Sequence, residues 1–172
     1  ITYYKDFAQS YDDGFADTLG YQSPQAVAKV FKTLAEAGDQ PIADIGCGTG
    51  LTAQALNTDK SNIDGFDISD EMLDKARQKN IYRALYNADL TQPLDLYASQ
   101  YGGLISSGTF TLGHLGPEDL AHLIQILKPN GLVSVTVNTA HFEDQGFDVV
   151  LKRLRDSNEI TKPEIHTVPI YS

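Results

Sequence analysis

A glycine-rich segment that directly follows a short apolar run is the feature that most restricts how this chain can fold. Residues 41–45 have the composition of a short buried strand, and Gly46, Gly48 and Gly50 follow at once, before a helical pattern over residues 51–56. Glycine allows a tight turn and a close approach of the backbone to a ligand. In open α/β sheets, ligands bind beyond the carboxyl ends of the strands. The segment therefore predicts a strand, a ligand-binding turn and a helix; a glycine turn that binds nothing is the alternative.

Predicted strands and helices alternate along the rest of the chain. Apolar residues at helical spacing predict a first helix that begins near Ser23 and ends at Gly38. Further strands are predicted at residues 63–67, 81–86, 103–107 and 132–137, and further helices after Ser69, after Pro117 and over residues 147–154. Strands joined by helices of this length need right-handed crossovers. The expected fold is a parallel sheet covered by helices on both faces.

Composition and charge restrict the class of protein. The 172 residues fit one domain. The 13 basic and 23 acidic residues give a net charge of −10, which would repel the phosphates of nucleic acids. No apolar run approaches the roughly 20 residues that cross a bilayer, and the single cysteine, Cys47, excludes an internal disulfide. We therefore expect a cytoplasmic protein that binds neither nucleic acid nor membranes.

Two common phosphate-binding signatures do not fit the glycine turn. The dinucleotide fingerprint requires G-x-G-x-x-G, but Leu51 stands where its last glycine belongs. The phosphate loop requires a lysine, and no lysine lies between Pro41 and Asp59. A ligand without phosphates is therefore favoured.

Carboxylates follow the next two predicted strands. Asp67 ends the second strand, 23 residues after Asp44, where a carboxylate can accept hydrogen bonds from both hydroxyls of a ribose. Capping of the helix after Ser69 is the alternative role. Asp89 follows the third strand at the equivalent position. Three neighbouring strands thus end in an acid or a glycine at one edge of the sheet, the rim formed by the carboxyl ends of the strands. This arrangement predicts a nucleoside-like ligand.

Together these segments resemble the class I S-adenosylmethionine-dependent methyltransferases. The resemblance is carried by ADIGCGTG at residues 43–50, Asp67, ADL at 88–90 and LKPNG at 127–131. A narrower likeness, to the small Williams–Beuren-region methyltransferase-like proteins, is carried by residues 11–15, 20–21 and 107–114. The resemblance implies a Rossmann-like, doubly wound, mostly parallel sheet in a single domain. Residues 1–38 would form an N-terminal helical lid and the first helix, and residues 39–172 the core.

The resemblance also implies a cofactor, S-adenosyl-L-methionine, and a role for each residue of the rim. Asp44 would steady the glycine turn and the amino group of the cofactor. The turn residues Gly46, Cys47 and Gly48 would border its methionine moiety. Asp67 would hold the ribose hydroxyls.

Further cofactor contacts are implied on either side of these residues. Asp89 would accept a hydrogen bond from the adenine amino group, and the ring would be flanked by Ile68, Met72, Ala88 and Leu90. Ser107 and Gly108 would lie near the transferring methyl group. Tyr3 and Tyr11 belong to a segment that closes over the cofactor in similar enzymes; exposed or half-buried aromatics on a terminal helix are the alternative.

No catalytic residue is assigned, because methyl transfer from a sulfonium requires mainly alignment and exclusion of water. His114 is the best-placed candidate base, although a packing or capping role fits it equally. The other histidines have no spacing that suggests a metal site, so no metal is expected. An Asn/Asp-Pro-Pro-aromatic segment, used by enzymes that methylate nucleic-acid bases, is missing after the fourth strand. We therefore expect a small-molecule acceptor, and a cationic or amine-bearing one would suit the negative field.

Two other functions stay open on the sequence. One is a nicotinamide-dependent oxidoreductase, and the other is a non-catalytic module that binds the cofactor and serves a protein partner. Class I methyltransferases usually end in two antiparallel strands, whereas residues 164–171 leave room for one. The final antiparallel strand is therefore expected to be missing or incomplete.

Overall fold

Five parallel strands form a single sheet in the computed structural model, which describes residues 21–171. The strands are β1 Ile42–Ile45, β2 Ile63–Asp67, β3 Ala84–Asn87, β4 Tyr101–Phe110 and β5 Leu127–Val137. Their order is β3-β2-β1-β4-β5, so the direction of winding reverses between β1 and β4. Such a reversal opens a crevice at the carboxyl ends of the strands. The predicted parallel sheet is confirmed; Tyr3, Tyr11 and most of the predicted lid lie outside the described residues.

Six α-helices precede, connect or follow the strands in the described part of the chain. They are α1 Ser23–Leu34, α2 Leu51–Leu56, α3 Asp70–Lys79, α4 Pro117–Leu123, α5 Thr139–Asp144 and α6 Phe147–Asp156. The Ser69 hydroxyl caps α3 by accepting a hydrogen bond from the Met72 backbone N–H at 3.3 Å. None of the described helices is both long and apolar enough to cross a bilayer.

The helices lie on both faces of the sheet and bury two hydrophobic clusters. One cluster joins Val27, Phe31, Leu56 and Leu73 to strand residues such as Ile42, so α1, α2 and α3 cover that face. The other joins Leu120, Leu123 and Phe147 to Ala43 and Ile45, so α4 and α6 cover the opposite face. Successive strand side chains point to opposite faces. Asp44 therefore points to the same face as Ile42, under the helices of the first cluster.

Two strands are longer than predicted. β5 begins at Leu127, five residues before the predicted strand, and residues 128–131 form an irregularity within it, where Asn130 has a φ of 66°. β4 continues to Phe110, which pairs with Val137 beyond a second shift of register. Bulges of this kind bend a strand and re-aim its side chains. The bulge in β4 lies at the rim where the ligand was predicted.

The described C-terminal segment does not extend the sheet beyond β5. It contributes an isolated antiparallel bridge between Tyr21 and Tyr171, and the Gln22 backbone N–H donates to the Ile170 carbonyl oxygen at 2.8 Å. The final antiparallel strand is therefore not part of the described sheet, as the sequence predicts.

Candidate functional site

The predicted rim forms where the carboxyl ends of β1 to β4 meet. Backbone hydrogen bonds continue past the ends of the strands: the Cys47 N–H donates to the Phe66 carbonyl at 3.0 Å, and the Ala88 N–H donates to the Asp67 carbonyl at 2.9 Å. The glycine turn after β1 is thus joined to the end of β2, and the end of β2 to the segment after β3. The rim is a continuous edge, built on a rigid sheet.

The first two glycines of the turn serve different purposes. Gly46 and Gly48 have φ angles of 65° and 53°, in the left-handed region that favours glycine. A Cβ atom at Gly46 would lie 2.2 Å from the Thr109 Oγ1 atom of β4, so this position is closed by packing. A Cβ atom at Gly48 would meet no atom within 4 Å. Gly48 therefore borders open space, where a ligand can approach the backbone.

Asp67 connects the glycine turn to the start of α3. Its Oδ2 atom accepts a hydrogen bond from the Gly48 N–H at 2.8 Å, and its Oδ1 atom accepts one from the Ser69 N–H at 2.9 Å. Burial raises the pKa of Asp67, while these backbone hydrogen bonds and the nearby His114 oppose the rise. Each carboxylate oxygen can accept a further hydrogen bond. The geometry therefore leaves Asp67 able to bind a pair of ligand hydroxyls.

Asp44 lies beneath the turn and is almost fully buried, with 1% of its surface exposed. The Tyr82 hydroxyl donates a hydrogen bond to its Oδ2 atom at 2.7 Å, whereas no hydrogen bond of good geometry reaches Oδ1 within the described residues. Burial raises the pKa of Asp44 to about 7; the Tyr82 hydrogen bond opposes this rise, the charge of Asp67 adds to it, and a weaker contribution from the Ala53 backbone opposes it. An orphaned buried carboxylate oxygen is unusual, and it marks a place for a donor or a cation.

The outer end of the rim is more exposed. The Asp89 Oδ1 atom accepts hydrogen bonds from the Thr91 hydroxyl at 2.7 Å and the Thr91 N–H at 3.0 Å, and these bonds lower the pKa of Asp89. Ile68, beside Asp67, exposes 61% of its surface, although an isoleucine is more often buried. An exposed apolar side chain beside the Asp67 carboxylate suits the flat face of a base.

Other predicted residues lie at the rim with their side chains turned away from solvent. Cys47, Met72 and Leu90 are each less than 9% exposed, and Ala88 is half-buried. Cys47 and Leu90 belong to the hydrophobic clusters on opposite faces of the sheet. Cys47 therefore presents its backbone, more than its thiol, to the rim.

The bulged end of β4 completes the rim on the other side of the glycine turn. The hydroxyls of Ser106 and Thr109 donate to the Ile45 carbonyl oxygen at 2.6 and 3.2 Å, which ties β4 to the end of β1. Ser107 points outward, and its Oγ atom lies 3.4 Å from the Tyr21 hydroxyl. Gly108 is exposed, and a Cβ atom there would lie 2.6 Å from the Tyr21 hydroxyl.

Two histidines near the carboxyl end of the sheet differ in their surroundings, and one of them lies close to the rim. His114 is exposed on the loop between β4 and α4 and lies close enough to Asp67 to lower the pKa of that carboxyl. His141 is buried, with its Nε2 atom 2.9 Å from the Leu115 carbonyl oxygen. Among residues 21–171, no group of three or more His, Cys, Asp or Glu side chains is arranged to hold a metal ion.

Two residues of the site were not assigned from the sequence. Tyr82 lies 38 positions from Asp44 in the sequence, within the strand predicted at residues 81–86. No motif marks it as a binding residue. Tyr21 belongs to the narrower likeness but carried no role. Pro24 predicts that a helix begins just after Tyr21, and this is the signal that could have located it. A helix that leads into β1 begins at the carboxyl end of the sheet, so Tyr21 lies at the rim.

The distribution of charge indicates which ligand the rim fits. Asp44, Asp67 and Asp89 lie at the ends of three neighbouring strands, yet no lysine or arginine occurs between Lys32 and Lys60 or between Arg83 and Lys128. The ends of β1, β3 and β4 therefore carry no side chain that would neutralise a phosphate. With the orphaned Asp44 oxygen and the open space at Gly48, the rim fits a phosphate-free, cationic nucleoside, and S-adenosyl-L-methionine has this chemistry.

Comparisons with known proteins agree with this geometry. Among curated proteins, the chain is 30% identical over 108 residues to the uncharacterized methyltransferase YodH of Bacillus subtilis (strain 168), covering 60% of this chain and 46% of YodH. The chain thus spans about half the length of this relative.

Among solved structures, a TehB-like SAM-dependent methyltransferase from Corynebacterium glutamicum has a TM-score of 0.56 at 19% identity, covering 89% of this chain and 79% of that one. A complex of DhpI with SAH has a TM-score of 0.58 at 20% identity, covering 78% of this chain and 65% of that one. These likenesses show a Rossmann-like methyltransferase fold.

A family model described as a methyltransferase domain matches residues 42–131, which is more than half of the 172 residues. The matched segment includes the glycine turn, Asp67, Asp89 and the bulged end of β4. The protein therefore belongs to the methyltransferase domain family.

Proposed function

We propose that the protein is an S-adenosyl-L-methionine-dependent methyltransferase that transfers a methyl group to a small-molecule acceptor by in-line displacement. The observation that carries this proposal is the row of three acids along a rim whose β1, β3 and β4 ends are free of lysine and arginine. A phosphate-bearing cofactor would meet repulsion there, whereas a sulfonium with an ammonium group would be attracted.

The described residues can hold each part of this cofactor. Asp67 would accept hydrogen bonds from the ribose hydroxyls, and Ile68 and Asp89 would contact the adenine. The backbone of Gly48 and the orphaned oxygen of Asp44 would meet the amino-acid end. When bound, the cofactor supplies an electrophilic methyl group and its own leaving group.

The residues of this chain would act mainly by orientation. A methyl acceptor must lie in line with the breaking bond, and alignment of this kind can supply most of the rate enhancement. Ser107, Gly108 and Tyr21 form the border of the rim on the acceptor side of the glycine turn. His114 is positioned to take a proton from an acceptor that requires deprotonation. An amine-bearing acceptor fits this rim because the nearby carboxylates favour positive charge.

Several finer expectations remain predictions. The small-molecule acceptor rests on the net charge of −10 and on the missing base-methylation segment. The cytoplasmic location rests on the missing bilayer-length apolar run and on the single cysteine. The likeness to the Williams–Beuren-region proteins rests on three short segments; the first, and residue 20 of the second, lie outside the described residues.

Calorimetric titration with S-adenosylhomocysteine tests the cofactor assignment. We expect a single site with micromolar affinity, and no heat on titration with NADH at the same concentration. Transfer of a labelled methyl group from S-adenosyl-L-methionine to a pool of small metabolites, and not to RNA or DNA, tests the acceptor class. A folded protein that binds neither S-adenosylhomocysteine nor S-adenosyl-L-methionine would contradict the proposal.

A further inference from the structure

A buried tyrosine–carboxylate pair lies directly below the glycine turn. Asp44 and Tyr82 are 1% and 8% exposed, and the Tyr82 hydroxyl reaches the Asp44 Oδ2 atom at 2.7 Å. Tyr82 precedes β3, so its ring must pass below β2 to reach β1. A Cβ atom at Gly65 of β2 would lie 3.1 Å from this ring, and so would one at Gly50 of the turn. Two glycines therefore make room for the ring to reach Asp44.

The Tyr82 hydrogen bond is the main support of an ionised Asp44 among the described side chains. The titratable groups that face Asp44 are Cys47 from the turn, Asp67 from the end of β2 and Tyr82 itself. Burial raises the pKa of both Cys47 and Tyr82, so these groups stay protonated at neutral pH. Asp67 adds repulsion. Within residues 21–171, no lysine, arginine or histidine forms an ion pair with Asp44.

The second oxygen of Asp44 indicates what the pair is arranged to meet. Oδ1 is buried without a good hydrogen bond, while Oδ2 is already occupied by Tyr82. A buried carboxylate is unfavourable unless each charged oxygen finds a partner. The ammonium group of an amino-acid moiety lying on the glycine turn would supply that partner, directly or through water.

We propose that Tyr82 is a positioning residue for cofactor binding, because its hydroxyl orients Asp44 and keeps it ionised for the ammonium group of the cofactor. This inference rests on the proposed function. It predicts that the affinity for S-adenosylhomocysteine depends on pH through Asp44. It also predicts that Y82F, which removes only the Tyr82 hydroxyl, shifts the pH dependence of this affinity.

The direction of the shift follows from the charges. Protonated Asp44 cannot attract an ammonium group, so affinity should fall as the pH drops below the pKa of Asp44, which is about 7. Loss of a hydrogen bond to a charged group raises a carboxyl pKa by about one unit. Y82F should therefore bind about fivefold more weakly at pH 7 and within about twofold of wild type at pH 8.5.

The experiment measures S-adenosylhomocysteine affinity by calorimetry between pH 5.5 and 8.5 for wild type, Y82F, D44N and Y101F. D44N should bind weakly and lose the transition that the titration of Asp44 causes near pH 7, because the amide does not titrate. Y101F is the matched control, because the Tyr101 hydroxyl makes the same kind of bond: it donates to the Asp64 Oδ2 atom at 2.7 Å, and this bond is also buried. Tyr101 lies at the start of β4, however, away from the glycine turn. Y101F should lose stability and keep the wild-type pH profile.

The outcomes separate the inference from the proposed function. If wild type does not bind S-adenosylhomocysteine, the proposed function fails. If wild type and Y82F both bind with superimposable profiles, or if Y101F shifts the profile equally, the role of Tyr82 is refuted. If Y82F does not fold, site-specific 3-fluorotyrosine at position 82 provides a second test, because its hydroxyl is a stronger donor. The affinity transition should then move to lower pH, and an unmoved transition would overturn the inference.

Discussion

Three carboxylates at the ends of neighbouring strands differ in how much water they meet. Asp44 is buried, Asp67 is half-buried and Asp89 is exposed. Burial raises the pKa of the first two, whereas hydrogen bonds from Thr91 lower that of Asp89. The same residue type can therefore serve as a buried counter-charge, a hydroxyl acceptor and a solvated contact along one rim.

Replacement of Asp67 by alanine tests the central member of this row. We expect D67A to weaken S-adenosylhomocysteine binding by about 1.5–3 kcal/mol, since hydrogen bonds to a charged acceptor are lost. Calorimetry measures the change. The control is D74A, which removes an exposed acid of α3 that pairs with Arg77. Equal affinities for D67A and wild type would remove Asp67 from the site.

Replacement of Gly46 and of Gly48 by alanine separates packing from ligand access. G46A should destabilise the fold by about 3 kcal/mol, because the new methyl group would collide with Thr109 in a left-handed conformation. G48A should lower the free energy of unfolding by only about 1 kcal/mol, the strain of the left-handed backbone, yet weaken S-adenosylhomocysteine binding. Urea unfolding and calorimetry measure the two effects. A reversed order of stability would contradict the assignment.

At the scale of elements, the strands are joined differently at the two ends of the sheet. At the carboxyl ends, backbone and hydroxyl hydrogen bonds join β1, β2 and β4 around an open turn. At the opposite end, the buried Asp64 of β2 accepts hydrogen bonds from Arg83 and from Tyr101 of β4. The closed polar network stabilises the sheet, and the open rim is left for the ligand.

Replacement of Arg83 by alanine tests this division. Asp64 would stay buried with two hydrogen bonds fewer, so we expect a loss of about 2 kcal/mol in the free energy of unfolding, reduced by the partial exposure of Arg83. The affinity for S-adenosylhomocysteine should be unchanged. R77A, which breaks the exposed pair with Asp74, should cost less than about 0.5 kcal/mol. A fall in affinity for R83A without a fall in stability would contradict the division.

Most elements of the fold could be predicted from periodicity, and the rest depend on contacts between distant residues. The glycine turn, the five strands and five of the six described helices follow from apolar spacing and from capping residues such as Ser69. The short helix α5 was not predicted, because its sequence, TAHFED, has only two apolar residues, Ala140 and Phe142, and so carries no helical periodicity. The extensions of β4 and β5 depend on bulged pairing between the two strands, which neither segment encodes alone.

The residues of the candidate site also divide into those that the sequence predicts and those that depend on contacts between distant residues. Asp44, Asp67 and Asp89 are predictable because each follows a strand of a parallel sheet, whose carboxyl ends share one edge. Tyr82 and the difference between Gly46 and Gly48 are not predictable, because they depend on which side chain of another strand faces the turn. The spacing of the predicted strands locates the rim in the sequence. The pairing register of neighbouring strands determines which side chains each residue of the rim contacts.

For the whole molecule, the net charge of −10 is unevenly distributed with respect to the site. Seven of the lysines and arginines lie between residues 29 and 83, whereas the 44 positions between Arg83 and Lys128 carry none. The bulged end of β4 and the segment after β3 both belong to that interval. The summed field at the rim should therefore attract cations over distances longer than a hydrogen bond.

Salt dependence tests this field. S-adenosyl-L-methionine carries a sulfonium charge that S-adenosylhomocysteine lacks. Raising the ionic strength from about 0.05 to about 0.5 M should weaken binding of the charged ligand by about two- to fivefold more than binding of the neutral one. Calorimetry in matched buffers measures both affinities. Parallel salt dependences would show that the acids of the rim act only through direct contacts.

The most direct test of the account is a crystal structure of the protein with S-adenosylhomocysteine. The account predicts density along the carboxyl ends of the strands, with the adenine beside Ile68 and Asp89, the ribose hydroxyls on Asp67 and the amino-acid end on the glycine turn above Asp44. Density for the ligand away from this rim, for example in the groove of about 550 Å³ between α1 and α2, would contradict it.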